Sequence, residues 1–192
     1  MKYRGSKDKP AKSYTESFQQ QGNDFAEINM QVIGIVHSPY KERFDTPRQP
    51  ALTEHDKAQS CEGSIILNPG FNFEQALKDL DTFSHIWVLY WMHLNRGWNP
   101  TVIPPRGPKI RRGLFATRAP HRPNSIGISV VTLKSIHNRT LTIENPDMLD
   151  GTPVLDIKPY LPYADAFPNA SHGWLEEAGR EPLPSTSNRT DG

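Results

Sequence analysis

The chain has 192 residues, 35% of them apolar and 18 of them proline, with 22 Lys and Arg against 21 Asp and Glu. That length suits one domain, and the low apolar share points to an ordered core between polar ends. The single cysteine, Cys61, excludes an internal disulfide and a zinc site of several thiolates, and no apolar run reaches the length of a membrane span, so a cytoplasmic protein is expected.

Residues 1–27 are polar, with little to bury, and are expected to form a disordered arm. Val32–Val36 is a short apolar run stopped by Ser38 and Pro39, and it predicts a strand. Tyr40 to Ala51, with Pro47 and Pro50, reads as a loop. Cys61 adjoins Glu62, whose charge would raise a thiol pKa, so it is read as a small residue near a strand start rather than a nucleophile. Gly63–Leu67 predicts a second strand, ended by Asn68, Pro69 and Gly70. Phe73, Ala76, Leu77 and Leu80 have helical spacing, so one short amphipathic helix is expected. Phe83–Met92, aromatic and β-branched, predicts a buried strand. A proline-rich loop follows, then a strand over Gly113–Thr117. Ile126, Ile128 and Val130 alternate at the head of a strand running to Ile136, which the turn His137–Arg139 returns into Thr140–Ile143. Pro153–Ile157 predicts the last strand. The expected organisation is an arm over 1–27, a β-barrel domain over 28–168 and a polar, disordered tail over 169–192. With no βαβ alternation, the fold class is mainly β: a single antiparallel sheet closed into a barrel to remove its edges, with one or two short helices.

The charge is unevenly placed. From Thr82 to Ile143 there is no Asp or Glu, yet nine Lys or Arg: Arg96, Arg106, Lys109, Arg111, Arg112, Arg118, Arg122, Lys134 and Arg139. The rest of the chain keeps 13 basic residues and all 21 acids. Two readings stand. One is a solvated cationic face. The other is a phosphate-tracking surface, in which Trp91, Trp98, Phe115 and His121 stack on bases. Trp91 and Phe115 also sit in strand patterns, which would place them in the core.

Glycine fingerprints for dinucleotides or phosphates are absent, as are a nucleophile elbow and H-E-x-x-H. The seven His are scattered, so no metal is expected. In the segment Asp147–Pro153, Asp150 and Gly151 predict a turn in which Gly151 allows close backbone approach. It is an ordinary hairpin turn unless Asp150 faces the same cavity as Arg122.

Four blocks carry a resemblance: Gly34–Phe44 with Pro47–Pro50, Phe83–Trp87, Gly113–Gly127, and Leu149–Pro162. Together, over about Asn29 to Ala166, they resemble the TsaA/TrmO family of tRNA (adenine-37-N6)-methyltransferases, which includes proteins named VirR. The resemblance implies a single-sheet barrel, a homodimer, and S-adenosylmethionine bound without a Rossmann motif. It implies N6-methylation of threonylcarbamoyladenosine in the tRNA anticodon loop. By similarity the cofactor pocket draws on Pro50, Ala51 and Leu52, on His93 and Leu94, on Arg122, and on Met148, Leu149, Asp150 and Gly151. Ser125 stands where the family pattern Arg-Pro-Asn-Pro-Ile-Gly has its second proline. Longer members carry a further C-terminal domain, so this chain is expected to grip tRNA with its barrel, its partner subunit or its basic loop.

Within that implied reaction, a positioned carboxylate would take the proton from the methylated nitrogen. Asp150 is the expected base, with Asp156 behind it; the competing role for Asp150 is to fix the turn. Arg122 would pair with the cofactor carboxylate. Arg106, Arg111, Arg112 and Arg118 would hold anticodon-loop phosphates, and Lys41 and Arg43 the substrate threonyl carboxylate. The alternative, from another class, is a non-catalytic nucleic-acid-binding regulator with the same barrel.

Overall fold

The computed structural model describes residues 28–42, 46, 47, 61–105 and 107–178. The arm expected over 1–27, the end of the expected tail from 179, and the site residues Arg43, Pro50, Ala51, Leu52 and Arg106 lie outside the described residues. Of a first unit, Met1–Met30, only three exposed residues are described; the fold below belongs to the second, Gln31–Gly192.

Six strands close a barrel: β1 (Gly34–His37), β2 (Glu62–Leu67), β3 (His85–Trp91), β6 (Ile126–His137), β7 (Thr140–Glu144) and β8 (Pro153–Pro159). Their order around the barrel is β1-β2-β7-β6-β3-β8, and every neighbouring pair is antiparallel. Two-residue strands β4 (Thr101–Val102) and β5 (Arg112–Gly113) pair separately in the long loop after β3. Closure leaves the six strands no free edge.

Period-two patterning fills the interior. Val36, Ile65, Leu67, Ile86, Val88, Val131, Leu133, Leu141, Ile143 and Val154 point inward and form one buried cluster with Met148 and Leu77. Leu77 follows the short helix α1 (Phe73–Ala76) and joins the core beside Phe73 and Leu80. The helix expected to run to Leu80 stops early. Asp79 adopts φ +66, which no helix continues through, and Leu80–Thr82 turns as a 3-10 helix.

One further expectation is corrected, and one strand shows which way it faces. Gly113–Thr117 is not a strand: pairing ends at Gly113, and Leu114–Ala116 is a 3-10 turn with only Leu114 buried. The alternating Ile126, Ile128 and Val130 do not face the core. Gly127, Ser129, Val131 and Leu133 do, and Ile128 is 52% exposed on the outside of the barrel. A one-residue change of face in a strand inverts every assignment along it.

The fold is described past residue 168, where a polar tail was expected. After helix α2 (Pro162–Asp165), Gly173–Ala178 forms a 3-10 turn whose Trp174 Nε1 donates to the Ala116 carbonyl at 2.8 Å. The Arg112 guanidinium lies 5.2 Å above the same indole. Among the described residues no helix is long and apolar enough to cross a membrane.

Candidate active site

Topology decides which loops meet. The end of β3 pairs with the start of β6 (Trp91 with Ile126) and of β8 (Tyr90 with Val154), and β1 runs antiparallel to β8. The segments after β1, after β3, before β6 and before β8 therefore share one mouth of the barrel. α1 lies toward the other end, where Arg139 bridges Glu74 and the Leu67 carbonyl. Phe83–Trp87 lies at the start of β3, toward the other end, and the other three of the four sequence blocks reach the mouth. Hydrogen bonds stitch it: Met92 N–H to Ser125 O (2.8 Å), Asn95 Nδ2 to Pro120 O (3.3 Å) and His121 Nδ1 against Arg96 O (3.2 Å). They place His93 and Leu94 beside the loop that carries Arg118 and Arg122.

Arg122 organises that loop. Its Nη1 donates to Thr117 O at 3.0 Å and more weakly to Leu114 O and Ala119 O, and its guanidinium lies over the Phe115 ring. Phe115, which the strand pattern placed in the core, is 77% exposed, and Trp91 47%. With Trp98 they stand as accessible rings among cations. Among the described residues, ion pairs neutralise Lys134 (with Glu144, 2.8 Å) and Arg139 (with Glu74), but none joins Arg96, Lys109, Arg111, Arg118 or Arg122 to a carboxylate. The acid-free stretch thus divides in space: the mouth loops keep their charge, and the far strands lose it.

The turn before β8 is closed by Thr152 N–H to Leu149 O, with Gly151 at φ +77. Asp150 is fully engaged there. Its Oδ1 accepts from Ser38 N–H at 3.0 Å and lies near His37, and its Oδ2 meets Lys41 Nζ at 2.7 Å. The Lys41 ammonium first, then the Ser38 amide, hold its carboxyl below the usual range. It lines an open cleft of about 310 Å³ with His37, Ser38, Lys41, Glu62 and Ser64. Arg122 is not among that cleft's lining residues. Asp156 stands away from both, on the outer face of β8 opposite Leu89, with Oδ2 on Lys158 (2.7 Å) and Oδ1 on the Ile157 amide. The Met148 side chain is core, and only its carbonyl serves the turn, accepting from Ser38 Oγ.

A low-pKa carboxylate stabilises the fold where it is charged in the native state and protonated in the unfolded one. Asp150→Asn is therefore expected to lower Tm at neutral pH and to converge on the wild type as pH falls through the folded-state pKa of Asp150. A Tm gap that persists in strong acid would assign the loss to shape instead of charge.

The residue that sequence reasoning missed is Asp147. Its Oδ1 is covered and has no hydrogen-bond partner. Burial pushes its carboxyl up to about 6, against partial relief from the Ser129 hydroxyl, its own amide and Arg118. Tyr90 Oη lies 3.3 Å from Ser129 Oγ, and burial raises the Tyr90 phenol to about 12. Tyr40, whose phenol burial raises further, also feels the Asp147 charge and contacts Cys61 Sγ at 3.2 Å. No direct signal for Asp147 lies in the sequence: Ser129 is a hydroxyl at a core-facing position of β6, but the face of that strand is set by the fold. Among the described residues no group of three His, Cys, Asp or Glu could hold a metal ion.

Three comparisons agree with this architecture. The model of the tRNA-methyltransferase O N-terminal domain matches residues 35–166. The chain is 44% identical over 153 residues to the Escherichia coli tRNA (adenine(37)-N6)-methyltransferase, covering 76% of this chain and 63% of that one. It is 44% identical over 145 residues to a Pyrococcus abyssi protein named "Probable S-adenosyl-L-methionine-binding protein", covering 76% and 74%. The crystal structure of TrmO from Pseudomonas aeruginosa superposes with a TM-score of 0.63 at 40% identity, covering 78% of this chain and 63% of that one. The chain thus spans less than two thirds of the Escherichia coli relative and of that crystal structure. A closed antiparallel barrel, matched by the family model over residues 35–166, makes this chain a member of the TrmO family.

Proposed function

We propose that this chain is an S-adenosylmethionine-dependent tRNA methyltransferase acting on N6 of threonylcarbamoyladenosine at position 37, beside the anticodon. The observation that carries the reading is the 44% identity to the Escherichia coli tRNA (adenine(37)-N6)-methyltransferase. The mouth supports it chemically. S-adenosylmethionine combines a purine, a carboxylate and a cationic sulfur, and has no phosphate. The described residues at the mouth include the exposed Leu94 and Trp91 and the Arg122 guanidinium, which suit the purine and the carboxylate. Arg122 would hold the ligand carboxylate, its Nε and Nη2 being outside the bonds that Nη1 makes to the loop. His93, Leu94 and the backbone of Leu149–Gly151 would frame the purine, with Pro50, Ala51 and Leu52 contributing by resemblance.

When bound, the cofactor supplies a methyl carbon already activated by its sulfonium, so the protein's task is alignment and removal of one proton. The mouth cations would track anticodon-loop phosphates, and Trp98 and Phe115 would stack on unpaired bases. A second copy of the chain would cover the outer face of β3 and β6, where Trp91, Ile126 and Ile128 leave apolar surface in contact with water.

The test is mass spectrometry of tRNA nucleosides after incubation with the protein and methyl-labelled cofactor. Label on threonylcarbamoyladenosine is expected, and its absence would sink the reading. Lys109→Ala with Arg111→Ala is expected to weaken tRNA binding and flatten the slope of log affinity against log salt by about 1.4, for two single-strand phosphate contacts. Cofactor affinity should not move. This pair spares Arg112, whose ring contact with Trp174 would confound the measurement.

A further inference from the structure

We infer that Asp147, reached from the mouth through Tyr90 and Ser129, is the group that receives the proton displaced from the methylated nitrogen. The inference rests on the methyltransferase reading and names its proton path.

The competing carboxylates are disqualified by their bonds. Asp150 holds Ser38, His37 and Lys41 on its two oxygens, and Asp156 holds Lys158 and its neighbouring amide. An acceptor saturated by an ammonium and an amide has little affinity left for a proton. Asp147 holds no ammonium among the described residues. Its Oδ1 is covered and has no hydrogen-bond partner. The groups that act on it are two phenols (Tyr40 and Tyr90), the Ser129 hydroxyl, its own amide and the Arg118 guanidinium, and no ion pair within salt-bridge distance is made to it among the described residues.

The path is built into the sheet. Tyr90 is the penultimate residue of β3 and points inward opposite Gly127, where only a glycine leaves room for its ring. A bulge between β3 and β8 falls here: Leu89 pairs with Asp156 and Tyr90 with Val154, so the extra residue, Leu155, is in β8. Tyr90 Oη reaches Ser129 Oγ at 3.3 Å, and Ser129, 2% exposed, acts in turn on the Asp147 carboxylate. The chain of hydroxyls thus runs from the mouth end of β3 toward the segment before β8. Arg122 does not line the cleft that Asp150 lines.

In the proposed step the substrate N–H bond breaks and its electron pair stays on nitrogen. That proton passes to Tyr90 Oη as the Tyr90 proton moves to Ser129 Oγ and the Ser129 proton to Asp147. Tyr90 and Ser129 end unchanged, and Asp147 ends as the neutral acid. The nitrogen pair forms the new bond to the methyl carbon while the carbon–sulfur pair goes to sulfur. The positive charge lost at sulfur is balanced by the carboxylate charge lost at Asp147, and nothing is oxidised or reduced.

The experiment combines labelled-methyl turnover on tRNA with carboxyl NMR titration of the ligand-free protein. Asp147→Asn is isosteric, and Tyr90→Phe keeps the ring above Gly127, so both are expected to fold, which circular dichroism checks. Each should lower kcat about 100-fold or more, the usual contribution of a positioned base, with KM for cofactor and tRNA little changed. The wild-type rate should have an acid limb near pH 6 that Asp147→Asn abolishes, and the Asp147 carboxyl should titrate at about 6 without any ligand. Ser129→Ala removes a group that favours the charged form, so it should move both limb and titration upward. Wild-type kcat in Asp147→Asn or Tyr90→Phe, an acid limb retained in Asp147→Asn, or a carboxyl titrating at an ordinary value near about 4 would each overturn the inference. A wild-type protein that leaves tRNA unlabelled overturns the methylation reading separately, and the titration still decides whether the buried acceptor exists.

Discussion

Asp147→Asn is expected to make the protein more stable above about pH 7, by roughly 3 kcal/mol, and to leave its stability unchanged below about pH 4. The carboxyl is raised from 3.8 to about 6 because burial opposes its charge. Its native-state pKa thus lies above its unfolded-state value. As pH rises from the unfolded value toward the native one, the unfolded chain releases the proton first, and stability falls. Above the native pKa the full penalty of a buried charge is present. Asparagine keeps the shape and removes that penalty. Urea titrations of both proteins at acid, intermediate and alkaline pH check this. A variant less stable than wild type at alkaline pH would mean that Arg118 and Ser129 compensate the charge in full, so that no acceptor is left over. A stabilising substitution that abolishes turnover would be the mark of a group kept for chemistry against the interest of the fold.

Gly127→Ala is expected to destabilise by about 3 kcal/mol, the upper end of the usual range for overpacking, and to lower turnover with it. A Cβ built at Gly127 would lie 2.2 Å from Tyr90 Cε2 and 2.3 Å from Cζ. The ring cannot absorb this by a small rotation, because it packs against the core and its hydroxyl is held toward Ser129. The ring must leave, and Tyr90 Oη leaves with it. Thermal melting reads the first effect. The second is read by Tyr90→Ala in the Gly127→Ala background: it should recover part of the stability, since the clash is gone, and none of the turnover. Full wild-type activity in Gly127→Ala would show that the ring position is irrelevant to the chemistry.

These effects depend on residues that the sequence exposed unequally. The strands were legible because closed antiparallel sheets impose period two, and because Gly, Pro and Asn mark their ends: β1, β2, β3, β6, β7 and β8 all fall where apolar runs predicted them. The faces were less legible. Ile126, Ile128 and Val130 form the cleanest apolar alternation in the chain, yet they face outward, since alternation gives a period and not a direction. The outward isoleucines concealed the inward series of Gly127, Ser129, Val131 and Leu133. Phe115 misled for a related reason: a short apolar run next to arginines can be a 3-10 turn, whose side chains need not enter a core.

The family, the barrel, the cationic centre of the chain and the turn at Asp150 and Gly151 could be read from the residues, because each is a local pattern of composition, period or motif. The tertiary structure alone decided which of these meet. Antiparallel pairing of β3 with both β6 and β8 brings Tyr90, Ser129 and Asp147 together from positions 39 and 18 residues apart. It also neutralises Lys134 and Arg139 while leaving the mouth arginines charged. No linear pattern distinguishes Asp147 from Asp150, three residues on. What separates them is that one carboxylate is covered beside hydroxyls and the other is ion-paired at the surface, and burial and partner are properties of the fold.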